Sequence, residues 1–490
     1  MNPSAEKYKE LANENKYIPL SLRIMGDTLT PVRIYQSIRS VSPYSYLLES
    51  VQQNEKLGRF SWIGVDPLMI FESHGKEISV KVGEKENKYL GNPLDELFQV
   101  MEEFRPVLPE ELYPYQGGVV GYFGYDNIRH FENIPDGNPD QLGIPESLFI
   151  LPKTVFVFDH LYQSITIITL LCSDDPDAYE KGEKQIHDLL ERISSSKVDK
   201  QLLEEPSDPG KQLDITSNMT REQYLEAVKQ AKHYIVEGDI FQVVLSQRLS
   251  VSFSADTFEL YRSLRRINPS PYLFYLNYPE FQIAGSSPEI LVKRNQEILT
   301  LRPIAGTRKR GPDQAENSRM EEELMNDPKE IAEHMMLVDL GRNDLGRISK
   351  FGTVKPTQFK YIENYSHVMH IVTNLESTIQ EGKSNADLIK ATFPAGTLTG
   401  APKVRAMEII DELETAKRGF YGGAVANIDY NGNFDSCIGI RSVLVKDNKA
   451  YVQAGAGIVA DSVPEKEYEE CMNKAKAVIN AIQLAGRSHQ

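Results

Sequence analysis

Cysteine is scarce in this chain: there are three in 490 residues, Cys172, Cys437 and Cys471, with no zinc-like spacing and no pairing pattern. That usage excludes a disulfide-stapled or zinc-finger protein and predicts a reducing, cytoplasmic setting. Clustered positive charge is missing too, and the formal net charge is -16. A phosphate backbone or an anionic bilayer needs grouped Lys and Arg, so nucleic acid and membrane surfaces are not expected partners. Long apolar runs are also absent. The longest, such as Ile165 to Leu171, fall far short of the ~20 residues that span a bilayer. Met1 to Asn15 is polar and charged, without the apolar centre of a secretory leader. The sequence holds no Walker loop, no convincing dinucleotide fingerprint and no G-x-S-x-G elbow. No cysteine sits in a G-x-C-x-G turn either, so the chain lacks that route for releasing ammonia from glutamine.

What is present is an ordinary globular mixture, 40% hydrophobic and 25% charged, long enough for more than one domain. One seam stands out. Ser194 to Asp214 is polar, Pro-containing and free of aromatics, which divides the chain into residues 1–193, a linker 194–214, and residues 215–490. Before the seam, Thr154 to Leu171 reads as two strands joined through a turn. After it, Thr220 and Gln223 form a capping box, and Tyr224, Val228, Ala231 and Ile235 keep helical spacing until Gly238. Strands follow in FQVVLSQRLSV and YLFYLNY, then a hairpin across Asn295 and Gln296. Pro328 to Leu340 and Pro464 to Leu484 read as helices. Between them a β-meander runs from Tyr421 to Val459, with turns at Asn431-Gly432 and Asp447-Asn448. Strands and helices do not alternate strictly, so the spacing predicts an α+β fold: mainly antiparallel sheets flanked by helices.

Two helices gather carboxylates. Behind Asp327 as N-cap and Pro328, residues Glu330, Glu333 and His334 fall on one side, with Ile331, Met335 and Val338 as the buried stripe. In the second helix Ser462 and Glu465 form another capping box, and Glu467, Glu470 and Lys474 share a face. Acidic first turns complement the helix dipole, and they serve equally as all-oxygen ligands for a hard cation such as Mg²⁺. Gly-rich turns recur in PIAGTRKRG, PAGTLTGAPK and QAGAGIV, either as tight sheet turns or as anion cradles. Arg441 reads as mid-strand, an awkward place for a cation unless an anion meets it. His370 reads as a strand residue sharing a face with Val368 and Val372. A structural role for it is as open as a chemical one.

Taken in order, EGDIFQVVLSQR (Glu237 to Arg248), GSSPE (Gly285 to Glu289), PIAGTRKRG, EIAEHMMLVDLGRND, YSHVMH, FPAGTLTGAPK, GFYGGAVA, IGIRS, QAGAGIVADS and EYEECMNKA resemble the chorismate-utilising enzymes. The resemblance runs from about Glu237 to Lys474. It implies a β-sandwich of two stacked, mainly antiparallel sheets with helices outside and the two sequence halves intertwined. It implies Mg²⁺ held by Glu333 and Glu470, with Glu330 and Glu467 nearby, on the ring carboxylate of chorismate. Arg441, Tyr421 and the backbone of Gly455, Ala456 and Gly457 would meet the enolpyruvyl carboxylate, helped by Lys474, with Gly306 and Thr307 also on the substrate. Glu289 would protonate the leaving hydroxyl, His370 would help proton removal, and Thr397 joins this catalytic group.

Within the family, isochorismate- and salicylate-forming members carry a water-activating lysine where this chain has Gln242. Aminodeoxychorismate-forming members carry a lysine where it has Ala305. The resemblance therefore implies the branch that joins ammonia to chorismate and releases anthranilate and pyruvate, opening tryptophan biosynthesis. A glutamine amidotransferase subunit would supply the ammonia in a heterotetramer. SPYSYLLES, GRFSWIG and INPSPYLFYL resemble a tryptophan-binding element, which implies feedback through Glu49, Ser50, Pro271, Tyr272 and Leu273. Two rivals remain: an aminodeoxychorismate-forming enzyme, and a binding regulator that has lost catalysis.

Overall fold

Strand alternation sets the layers. In the computed structural model, which describes residues 1–50, 58–109, 112, 114–115, 117–196, 213–311, 313–364 and 368–486, the strand Ser147–Asp159 is buried along both faces. Leu148 and Ile150 enter one core, and Phe149 and Leu151 enter another. A strand that is dry on both faces lies in a sheet covered above and below. The core that takes Leu148 and Ile150 also holds Tyr46, Val120, Phe274, Ile283 and Leu444, and it contains no helical residue. It is the filling between stacked sheet layers. Helices pack on the outer faces, contributing Tyr224, Phe258 and Val478 on one side and Leu97, Val338 and Leu388 on the other.

Every ladder between described strands is antiparallel. The halves of the sequence interleave: Ser45–Glu49 pairs with Tyr272–Asn277, and Val119–Phe123 pairs with Ala424–Ile428. This is the antiparallel α+β architecture with flanking helices that the sequence predicts. Most of the seam lies outside the described residues; the helix Ala178–Ser195 precedes it and the strand Ile215–Ser217 follows. Among the described residues no helix is long and apolar enough to cross a membrane.

Local signals were read with mixed success. The Thr220–Gln223 capping box is formed in both directions, and Gly238 ends that helix at φ 86°. Asp447 and Asn448 take φ of 50° and 57°, the pair of left-handed residues that a tight hairpin needs. The second capping box is not formed. Pro464 starts the helix Pro464–Ala485, so Val463 becomes the cap, and Ser462 Oγ accepts from Val459 N–H at 3.0 Å instead. The helix Pro328–Gly346 outlasts its expected end at Leu340, and His334 lies on its buried stripe with Leu337, Val338 and Gly341, not beside the glutamates. Ile331 and Met335 are only half-buried.

The expected meander is two hairpins. Phe434–Ile438 pairs with Ile290–Asn295, whereas Ser442–Lys446 pairs with Phe281–Ser287. The chain changes ladders at Gly439–Arg441, where Arg441 takes φ 52°. Arg441 is thus a corner residue and not mid-strand. A left-handed non-glycine residue costs on the order of 1–3 kcal/mol and tends to mark a site.

Candidate active site and a second cavity

The corner at Arg441 points the way to the site. Its guanidinium donates from Nη1 to the Lys474 carbonyl at 2.7 Å, and burial pulls its pKa down. Lys474, on the helix Pro464–Ala485, reaches Glu470 Oε1 at 2.7 Å and the Gly455 carbonyl at 3.2 Å. Burial raises the pKa of Glu289 and Glu333, and the charge of Lys474 opposes that rise in both. One lysine therefore joins residues drawn from five separate motifs.

Glu289 lies between the strands Phe281–Ser287 and Ile290–Asn295. Its backbone is fixed by Ile438 N–H donating to its carbonyl at 3.0 Å and by the Ser287 hydroxyl, 3.4 Å from both its N and its O. Burial pushes its carboxyl up to about 7, against the pull of Thr397 and Lys474. The Thr397 hydroxyl is near enough to be felt but closes no hydrogen bond of normal geometry. Both groups line a small cavity of about 30 Å³. A carboxylic acid that titrates near neutrality can hold a proton for delivery at physiological pH.

His370 stands on the strand Val368–Thr378, with Nδ1 2.8 Å from the Gly306 carbonyl. Burial lowers its pKa, which keeps the imidazole neutral and able to accept a proton. Gly306 has φ 68°, and a Cβ there would sit 3.1 Å from Glu330 Oε2. Conformation and crowding both call for glycine at this point. For Thr307 only the backbone is described.

Two of the predicted carboxylates are held in ion pairs. Glu330 Oε1 accepts from Arg308 Nη1 at 2.7 Å, and Glu470 is held by Lys474. Glu333 is raised by burial and then by the charges of Glu330 and Glu470, and Glu467 is raised by burial and by Glu470. Glu333 thus feels Glu330 and Glu470, and Glu467 feels Glu470. Among the described residues no three such side chains form a ready metal cage. The all-oxygen donor set and its surplus of negative charge nonetheless fit a hard divalent cation that keeps some of its waters.

The remaining residues divide by face. On the strand Lys449–Ile458, Ala456 is fully buried in the core, so only its backbone is available to a ligand. Gly457 faces Gln242, whose Nε2 would lie 2.5 Å from a Cβ there and whose buried Oε1 has no partner among the described residues. Tyr421 is buried beneath Arg418, whose guanidinium stands 5.6 Å from the ring centroid. Arg308, which pairs with Glu330, belongs to the site as well, and the RKR run in the Gly-rich turn is the sequence signal for it.

A second cavity, of about 210 Å³ and mostly apolar, is lined by Glu49, Ser50, Pro271, Tyr272 and Leu273, all five of the residues that the sequence grouped together. Leu273 lies opposite Glu49 across the ladder. Glu49 is buried and accepts from Tyr261 OH at 2.5 Å and from Arg265 at 3.0 and 3.2 Å. Tyr272 OH donates to Asp435 Oδ1 at 2.9 Å, and Lys293 holds the other oxygen of Asp435 at 2.7 Å. Tyr261 and Arg265, which anchor the wall from the helix Thr257–Ile267, carry no motif of their own.

This fold has counterparts. The chain belongs to the chorismate binding enzymes, a family that matches residues 43–480. Within that family it is similar along its whole length to proteins named anthranilate synthase component 1. Identity is 48% to that of Acetivibrio thermocellus over 490 residues, 99% of each chain. It is 45% to that of Pseudomonas aeruginosa, again over 99% of each. The crystal structure of anthranilate synthase component I from Streptococcus pneumoniae TIGR4 aligns with a TM-score of 0.77 at 35% identity, covering 93% of this chain and 99% of that one.

Proposed function

We propose that the chain converts chorismate and ammonia to anthranilate, pyruvate and water, as the large subunit of an anthranilate synthase in tryptophan biosynthesis. The observation that carries this reading is Glu289, a half-buried acid whose carboxyl is pushed up to about 7 beside the Lys474 hub. Glu333 and Glu470, with Glu330 and Glu467 beside them, would hold Mg²⁺, which would neutralise a substrate carboxylate. Arg441 and the backbone around Gly455 orient the other carboxylate. Glu289 gives its proton to the ring hydroxyl, which leaves as water while ammonia bonds to the ring carbon. His370 then takes a ring proton as the enolpyruvyl group departs, and the ring becomes aromatic.

Gln242 in place of a lysine and Ala305 in place of another favour ammonia as the nucleophile. A neutral amide cannot activate water as a base, and alanine cannot attack the ring. Ammonia would come from a glutamine amidotransferase subunit, which the "component 1" names of the relatives support, in a heterotetramer. The second cavity would take tryptophan as feedback inhibitor, with its ammonium at Glu49 and its indole against Leu273 and Tyr272. To test the reading, the purified chain is incubated with chorismate, Mg²⁺ and ammonium, and anthranilate fluorescence is followed with and without tryptophan. Fluorescence that appears and then falls on adding tryptophan is expected. Chorismate loss without fluorescence would favour aminodeoxychorismate formation, and no chorismate loss would overturn the catalytic assignment.

A further inference from the structure

The two cavities share a wall one chain thick. At Pro288–Ile290 the side chains alternate: Pro288 faces the larger cavity, Glu289 faces the small one, and Ile290 touches both. Arg302 and Ile304 face the larger cavity, while Leu301 and Pro303 between and beside them face the smaller. Cys437 and Ile438 divide in the same way. Strand periodicity produces this arrangement, since neighbouring side chains point to opposite faces.

A second line leaves the same wall. Arg302 ion-pairs with Glu363, and Glu363 lies directly opposite His370 in the ladder between Lys355–Asn364 and Val368–Thr378. From Ile304 the chain reaches Gly306, whose carbonyl meets His370, within two residues. The proposed acid is therefore the immediate chain neighbour of residues that line the larger cavity, and the proposed base is reached from it through Glu363 or Gly306. Close-packed walls of this kind are stiff, so filling one side moves groups on the other.

Resting on the functional reading above, we propose that a ligand in the larger cavity acts on Glu289 and His370 together through this wall. Ser287 and Glu363 serve as the positioning residues that carry the effect. Neither lines the larger cavity. Ser287 pegs the Glu289 backbone, and Glu363 bridges Arg302 to the ladder position of His370.

The test uses the full chain with Mg²⁺ in ammonia-free buffer, where chorismate has no nucleophile and acts only as a ligand. Calorimetry gives the tryptophan Kd with and without saturating chorismate, and the ratio of the two is the coupling factor. For the unmodified chain a ratio of at least about 5 is expected, the lower end of ordinary allosteric coupling. S287A and E363Q should each cut that ratio roughly threefold or more while leaving the tryptophan Kd without chorismate within about twofold, and S287T should restore part of it. An unchanged ratio in both variants would overturn the wall. A ratio of one in the unmodified chain would overturn it as well, with tryptophan binding still intact. Failure of the unmodified chain to bind tryptophan at all would instead sink the feedback assignment beneath it.

Discussion

Replacing Glu289 with glutamine should separate activity from stability in opposite directions. The carboxyl titrates at about 7 instead of its ordinary 4.5, chiefly because burial opposes its charge. As the proposed proton donor it would be competent below about pH 7. At fixed free ammonia, turnover should therefore fall about tenfold per pH unit above that value. E289Q cannot donate, and losing a positioned general acid costs about 10²–10⁴-fold in kcat. Folding responds with the other sign. A group whose folded pKa is raised contributes stability that is complete below its unfolded pKa and lost as pH rises through the folded value. The gap from 4.5 to about 7, at about 1.4 kcal/mol per pH unit, makes the ionised site cost roughly 3 kcal/mol above neutrality. Because glutamine does not ionise, E289Q should melt higher than the unmodified chain at pH 8, and the gap should close below pH 4.5. The assays are anthranilate fluorescence across pH at constant free ammonia and thermal unfolding at both ends of that range. Full activity in E289Q, or a flat profile between pH 6 and 8, would refute the reasoning.

Other outcomes follow from the same geometry. E333Q should abolish Mg²⁺-dependent turnover while melting no lower than the unmodified chain, because it removes a charge that burial and its acidic neighbours oppose, and a Mg²⁺ titration that still restores activity would remove Glu333 from the metal set. R418M should destabilise the fold by about 3–5 kcal/mol in urea unfolding, because it strands the buried Glu414 carboxylate, which Arg418 meets at 2.5 and 2.9 Å. The double variant E414Q/R418M should recover part of that loss.

The architecture was legible where local chemistry and periodicity agree. The Thr220 capping box, the Asp447-Asn448 turn and the carboxylate-bearing helices all lie where the sequence puts them. What escaped depends on contacts distant in sequence. His334 sits at i+4 from Glu330 and i+1 from Glu333, so spacing alone set it among the carboxylates. Its partner Thr373, at 2.6 Å, comes from another element and draws it inside. SCIGIRSVLV is uniformly strand-like, which puts Arg441 mid-strand on sequence grounds. Only the neighbouring ladders show that the chain turns a corner there. The hub role of Lys474 is invisible for the same reason, since Gly455 reaches it from a strand and Arg441 from a corner between two others. The five residues around the second cavity come from two distant segments, and it was resemblance, not periodicity, that grouped them.

The central claim is that chorismate lies between Arg441 and Glu289 with its ring hydroxyl on the Glu289 side chain. A crystal structure of E289Q soaked with chorismate and Mg²⁺ tests it most directly. The account predicts the ring hydroxyl within about 2.6–3.2 Å of the substituted side chain, with the enolpyruvyl carboxylate at Arg441 and the metal against Glu333 and Glu470. Chorismate found instead beside Glu49, with no ligand oxygen near position 289, would contradict it.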